Sequence, residues 1–477
     1  MSEYVPTIGL EIHAELKTQT KMFCSSKNDT HEDRPNVNIC PVCMAHPGTL
    51  PVINKEAVKS VLKVGAAIHG TFADYTEFDR KNYFYPDLPK GYQLSQYEFP
   101  LISGGTLNGV AITRIHLEED TASSIHNENS GETLIDYNRA GTPLMELVTE
   151  PVIHSAKDAA DFGKELQLLL QYLDVSDANM EKGEMRLEAN VSVSNNGTLG
   201  TKVEIKNLNS FGIMERAVAY EIKRQITALE SGEEIVQETR GWNDARQETF
   251  SQRVKEGSAD YRYFPDPDLP SLKLSELPEL TIDVIKASLP ELPEDRRQRY
   301  VSLGVKMADA IQFVAYPKLA QYFDAVIGSS TDALLIQRCA NYIANDVMGI
   351  LRDTNNRDTE MQPEISISAS AFRDLMIAIG DGKISARSAK DVLIEAMKDG
   401  SDPLKLAETQ GLLGSVDESA LRDTIEKVIA DNPVVADDYR KGKVVALQFL
   451  IGQAMKALRG KADPSILKAK IMEKLSE

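Results

Sequence analysis

Four stretches in the first half of the chain alternate between apolar and polar residues with a period of two. Their polar rows are charged. In residues 7–16, Ile8, Leu10, Ile12, Ala14 and Leu16 alternate with Gly9, Glu11, His13 and Glu15. In 109–120 one row reads Val110, Ile112, Arg114, His116, Glu118, Asp120 and the other Ala111, Thr113, Ile115, Leu117, Glu119. In 184–193, Met185, Leu187, Ala189, Val191 and Val193 face away from Glu184, Arg186, Glu188, Asn190 and Ser192. In 201–207, Val203 and Ile205 oppose Lys202, Glu204 and Lys206. Period two is the pattern of strands with one face on a core. A solvated sheet face more often carries Thr, Ser and Tyr than rows of Glu, His, Arg and Lys. Carboxylates gathered on one sheet repel one another and require a metal ion, basic side chains or both.

Helices frame these strands. Asn54 is placed to cap a helix to about His69, Ser155 a helix over 156–173, and a further helix covers 211–231 with Gly232 just past its end. Between 263 and 293 six prolines occur, which excludes long helices and central strands there. Beyond them the pattern is helical, with breaks at 380–382 and 411–414. The expectation is an α+β fold. A mixed or antiparallel-sheet catalytic domain spans 1–292, an all-α domain 293–409 and a small helical tail 410–477.

Charge separates the tail from the rest. The 477 residues hold 72 acids and 53 Lys/Arg, which taken alone argues against a nucleic-acid partner. Yet residues 439–474 hold nine basic residues (Arg440, Lys441, Lys443, Lys456, Arg459, Lys461, Lys468, Lys470 and Lys474) and two acids, Asp463 and Glu473. A basic tail on an acidic body suits either phosphate-backbone contact or a solvated helix surface. No run reaches the ~18 apolar residues a membrane helix needs, and the first residues lack the pattern of a secretory signal. With four cysteines, no disulfide framework is expected and a reducing cytoplasm is the expected location.

The common catalytic signatures, the P-loop, GxGxxG and GxSxG, do not occur. The stretch 79–96 (DRKNYFYPDLPKGYQLSQ) packs three cations and four aromatics among rigid turns, which suits a loop that grips phosphates. Residues 136–151 pair a turn with Glu146 and Glu150, and 260–268 read DYRYFPDPD.

Taken together, 9–16 (GLEIHAEL), 81–96, 114–120 (RIHLEED), 137–151, 180–193, 200–211 (GTKVEIKNLNSF) and 260–269 make the chain resemble the B subunits of bacterial aspartyl/glutamyl-tRNA amidotransferases over nearly its whole length. The resemblance implies a ligase forming a carbon–nitrogen bond with glutamine as amide donor. It implies a heterotrimer in which the partners are an amidase, the A subunit, and a small C subunit. ATP would phosphorylate the side-chain carboxylate of Glu-tRNA(Gln), Asp-tRNA(Asn) or both, and ammonia from the amidase would displace phosphate. The cradle-like N-terminal domain would hold this site and the helical parts the tRNA. The chemistry needs Mg²⁺ and cations, because an anionic carboxylate must meet anionic ATP.

Residue by residue, the resemblance puts Glu11, His13, Glu119 and Lys206 in catalysis. It puts Glu11, His13, Glu119, Glu150 and Glu184 on the metal, and Lys81, Lys90 and Arg139 on the ATP phosphates. Glu118, Asp120 and Glu146 fall in the same motifs. The chain departs from the family at Glu188-Ala189-Asn190, where relatives carry Asp first. It departs again at Thr121-Ala122-Ser123, where they carry Ala-Gly-Lys. Some relatives have CxC before CxxC, a zinc pattern. Here Cys24 is followed by Ser26, then Cys40 and Cys43. His31 or His46 could complete a four-ligand set, but free thiols are the expectation. A non-catalytic tRNA-binding adaptor of the same fold and a metal-dependent RNA nuclease are the competing functions.

Overall fold

The computed structural model describes residues 4–127, 130–254, 261–354, 364–413, 418–458 and 464–476. It divides into two compact units, Met1–Leu292 and Pro293–Glu477.

The first unit is built on a ten-stranded sheet. Its strands are β1 (Val5–Glu15), β2 (Thr71–Phe72), β3 (Ile102–Ser103), β4 (Thr106–Leu107) and β5 (Val110–Glu119). They continue with β6 (Pro143–Thr149), β7 (Met185–Ser194), β8 (Val203–Leu208), β9 (Glu238–Asn243) and β10 (Glu248–Val254). The order across the sheet is β10-β9-β8-β7-β1-β6-β5-β3-β2, with β4 paired to β5. Every pairing is antiparallel except β8 with β9, so the sheet is mixed.

The apolar rows meet helices on one face. Ile8, Ile12, Leu147, Leu187 and Ile205 are fully buried with Val61, Leu62, Phe162 and Leu166. The helices are α1 (Lys55–Ala67), α2 (Ala156–Tyr172) and α3 (Phe211–Glu230). The caps predicted at Asn54 and Ser155 are in place, and Ser210 caps α3 as well. Asn54 accepts from the N–H groups of Glu56 and Ala57, Ser155 from Asp158, and Ser210 from Ile213. Gly232 sits just past α3 with φ +82°, the left-handed conformation a helix end favours. Where α1 packs on β3 a side chain has no room. A Cβ on Gly65 would lie 2.3 Å from Ile102 Cδ1.

The proline-rich stretch forms short pieces only. Phe264–Pro265 pairs with Asp79–Asn82, Leu272–Lys273 pairs with Tyr75–Thr76, and a six-residue helix covers Ile282–Ala287. Pro293 opens the helices of the second unit. Within that unit Leu421, Ile425, Leu450, Leu467 and Ile471 form their own apolar cluster. Among the described residues no helix is long and apolar enough to cross a membrane.

Candidate functional site

The face of the sheet opposite the helices carries the charged rows, and strand register brings them into line. His13 on β1 stands opposite Glu146 on β6 and Arg186 on β7, and Glu146 stands opposite His116 on β5. One cross-strand row therefore reads Arg186, His13, Glu146, His116, with the Glu146 carboxylate between two imidazoles, the opposite-charge pairing that directly opposed neighbours favour. In the next row Glu11 faces Glu188.

The register between β5 and β6 shifts at Thr149 and Ile112, an irregularity that leaves Thr113 without an opposite residue. The row that mixes Val110 and Ile112 with Arg114, His116 and Glu118 is thereby split. Val110 and Ile112 are buried in the core, as are Ile115 and Leu117 from the other row. Arg114, His116 and Glu118 line the open face.

That face is the floor of a basin of about 580 Å³. Two histidine–carboxylate clusters share Glu146. His13 Nε2 lies 3.4 Å from Glu146 Oε2 and 4.0 Å from Glu11 Oε1, and His116 Nε2 lies 3.3 Å from Glu146 Oε2 and 3.5 Å from Glu118 Oε1. Each cluster brings three ligand atoms within 4.8 Å of one another. Glu118 also accepts from Ser95 Oγ at 2.6 Å and Gln93 Nε2 at 2.9 Å, and Lys81 Nζ is 3.8 Å away. On the far side Lys206 Nζ donates to both oxygens of Glu188, at 2.9 and 2.8 Å, and lies 3.7 Å from Glu204. Tyr83, Tyr97, Tyr261 and Tyr263 form an aromatic wall, with Tyr97 and Tyr263 stacked at 4.4 Å.

The electrostatics follow from this crowding. Burial alone would lower His116, but Glu146 and Glu118 hold it protonated, up to about 9. Burial would lower His13 also, and Glu146 again outweighs it. Burial would raise Glu118, yet Lys81 and His116 bring it down to about 2. Burial would raise Glu146, and His116 and His13 keep it well below the usual carboxylate range. Glu11 is raised, by burial first and then by Glu146 and Glu188. Burial would lower Lys81, but Glu118 holds it above its ordinary value. The imidazole protons thus stand where a cation would neutralise the carboxylates. His116 is 2% exposed and its Nδ1 has no hydrogen-bond partner.

Of the predicted residues, Glu11, His13, Lys81 and Lys206 come together in the basin. The others lie elsewhere. Glu119 follows the core-facing row of β5, where it accepts from Lys90 Nζ at 2.7 Å and from the Leu94 N–H at 3.0 Å. Lys90 is thus engaged on the same side, and both line a separate cavity beside Cys24 and Cys43. Arg139 donates to the carbonyls of Thr121 and Ala122, both at 3.0 Å, with Asp120 Oδ2 3.6 Å away. Glu150 accepts from Thr113 Oγ1 at 2.7 Å, past the end of β6. Glu184 accepts from Asn179 N–H and lies 2.7 Å from His31 Nε2. Asp260 of the DYRYFPDPD stretch lies outside the described residues.

Basin residues outside the predicted site include His116, Glu118, Glu146, Arg114 and Arg186. His116, Glu118 and Arg114 shared one row of the alternation, and register with His13 is the signal that selects Glu146 over Glu150.

The chain matches the family profile described as GatB/GatE catalytic domain over residues 6–279, and that described as GatB domain over 321–475. It is 40% identical to the B subunit of the aspartyl/glutamyl-tRNA(Asn/Gln) amidotransferase of Gloeothece citriformis, covering 99% of this chain and 98% of that protein. It is 42% identical to the protein of the same name from Synechocystis, over 98% and 96% of the two chains. It is 41% identical to the B subunit of the chloroplastic/mitochondrial glutamyl-tRNA(Gln) amidotransferase of Physcomitrium patens, over 99% and 86%. With the sheet, its charged face and both halves of the sequence accounted for together, the chain belongs to the GatB/GatE family, as a B subunit of the aspartyl/glutamyl-tRNA amidotransferases.

Proposed function

We propose that the basin activates the side-chain carboxylate of tRNA-linked Glu, Asp or both with ATP and then forms the amide, with glutamine as the nitrogen source. The observation that carries this reading is Glu146, shared between two imidazole–carboxylate clusters within reach of the cations Lys81 and Arg114. The donor set fits a divalent ion. Two buried imidazoles are protonated only because carboxylates surround them, and His116 Nδ1 finds no partner. Glu146 with Glu11 beside His13, or with Glu118 beside His116, would hold Mg²⁺, and the hard carboxylate oxygens match its preference. Bound there, Mg²⁺ supplies charge neutralisation and orientation for anionic reactants.

The chain's own residues do the rest. Lys81 and Arg114 face the nucleotide phosphates. Lys206, fixed by Glu188, orients the acceptor carboxylate. The carboxylate oxygen takes the γ-phosphoryl group and ADP leaves. Ammonia nitrogen then forms a bond to the carbonyl carbon and phosphate departs, so a poor leaving group has become a good one. The tyrosine wall limits water, which would otherwise hydrolyse the acyl phosphate. Ammonia comes from the amidase, the A subunit, and a small C subunit completes the complex. The tail, 410–477, binds tRNA. Four free thiols suit a reducing cytoplasm.

The test uses the assembled complex with mischarged Glu-tRNA(Gln). Glu146→Gln keeps the shape but removes the shared charge. It should lower tRNA-dependent release of the ATP γ-phosphate by a hundredfold or more, on the order of one missing electrostatic interaction with the transition state. Binding of tRNA should be unchanged. Turnover equal to that of the parent protein would refute the assignment, and RNA cleavage without ATP would favour a nuclease.

A further inference from the structure

Behind β5, away from the basin, Cys24, Cys40 and Cys43 bring their sulfurs within 4.8 Å of one another. Cys40 and Cys43 Sγ are 3.8 Å apart. The Cys43 sulfur accepts the Cys40 backbone N–H at 3.1 Å, and Ser26 Oγ lies 3.9 Å away. His31 is engaged with Glu184 and does not turn to this cluster.

Lys21 lines the same cavity as Cys24 and Cys43. It is fully buried and donates to the Tyr137 carbonyl at 3.1 Å. Among the described residues it forms no ion pair with a carboxylate, and the group acting on it most strongly after burial is Cys43. Glu119, which lines the same cavity, acts on it more weakly than the cysteines, and a buried ammonium without a paired counter-charge is costly. A thiolate on Cys43 supplies that charge. The Cys24 thiol donates to its sulfur, with Lys21 and the Cys40 N–H adding to this, and together they hold Cys43 below the ordinary thiol range. A cavity of about 280 Å³, lined by Lys21, Cys24, Cys43 and His46, opens beside the sulfur.

We propose that Cys43 is a reactive thiolate and that Cys43 and Cys40 form a peroxide-oxidisable dithiol. The Cys43 thiolate attacks one oxygen of hydrogen peroxide, the O–O bond breaks, and hydroxide leaves a sulfenic acid. The Cys40 sulfur then attacks the Cys43 sulfur. The S–S bond forms, the S–O bond breaks, and water departs with the thiol proton. Two electrons pass from the two sulfurs to peroxide.

The experiment uses the full chain in its complex, reduced and desalted, with metal content measured. Alkylation of Cys43 by iodoacetamide, followed by peptide mass spectrometry, should run at nearly the same rate from about pH 5.5 to 7.5. Over that range a free thiol such as glutathione accelerates about a hundredfold, tracking its thiolate fraction. Limiting hydrogen peroxide should give a Cys40–Cys43 disulfide, and Cys40→Ser should stop at a sulfenic acid that dimedone captures. Lys21→Met should restore a rising pH profile; because that change could unfold the chain, Lys21→Arg should keep the profile flat. A Cys43 rate that rises like that of glutathione in natively folded protein would overturn the proposal. So would a disulfide to Cys24 instead of Cys40, or stoichiometric zinc that must be chelated before any thiol reacts.

Discussion

Glu118 and Glu119 are adjacent, equally acidic and both buried, and they do different things. Glu118 faces His116 and Lys81 in the basin, while Glu119 faces Lys90 on the other side of the strand. The sequence motif contains both and cannot by itself say which points where. Period two separates neighbours, but the register shift at Thr113 moves the boundary between core-facing and open rows, and nothing in the residue types announces that shift. Glu146 and Glu150 differ for a related reason: one sits inside the paired strand, the other beyond its end. Glu11 and His13 share the polar row of β1, whose register with β6 and β7 runs unbroken, whereas Lys81 and Lys206 were marked by the resemblance. A pH prediction belongs at this scale. His116 is held at about 9, above its ordinary value. Its contribution to stability is therefore complete below the unfolded value of about 6.5 and is lost as pH rises through about 9. Thermal unfolding without added metal should show a melting temperature that falls from pH 7 to pH 10. His116→Gln should melt lower at pH 7 and fall less over the same range.

At the scale of elements, β1 does two jobs in one pass. Ile8, Leu10 and Ile12 are buried on its core face while Glu11 and His13 stand on the other. The alternation made this strand readable, and the side-chain caps at Asn54 and Ser155 did the same for the starts of α1 and α2. Partner choice was not readable: β1 lies between β6 and β7, which arrive more than a hundred residues later. Ile12 sits between the two site residues, fully buried. Ile12→Ala should cost about 2–5 kcal/mol in denaturant unfolding, through lost burial and the cavity left behind. It should also lower amidation turnover beyond what the unfolded fraction explains, since the backbone that aims Glu11 and His13 relaxes into the gap. A turnover loss matching the unfolded fraction alone would show that the floor does not depend on this packing.

At the scale of the molecule, the change from sheet to helices was marked in the sequence by six prolines, and the compact units divide at Pro293. The basic tail is less positive than its own segment suggests. Lys441 pairs with Asp437, Lys443 with Asp438 and Lys474 with Glu426, acids that lie outside the stretch whose charge stood out. Arg459, Lys461 and Asp463 lie outside the described residues. Removing 411–477, a part with its own apolar cluster, should weaken tRNA binding. It should also reduce the slope of log affinity against log salt by about one for each phosphate no longer neutralised. A slope unchanged by the truncation would assign the tail another task.

The strand order has a consequence for how the protein is born. Of the strands that build the basin, the earliest in the chain carries Glu11 and His13, but both of its neighbours are encoded far downstream, at Pro143–Thr149 and Met185–Ser194. Nascent chains shorter than this hold half of an acidic pair with no closing partner, and pairings that span such distances along the chain form slowly. By the time Leu208 emerges, every strand that lines the basin is available, before any residue past Pro293 has been translated.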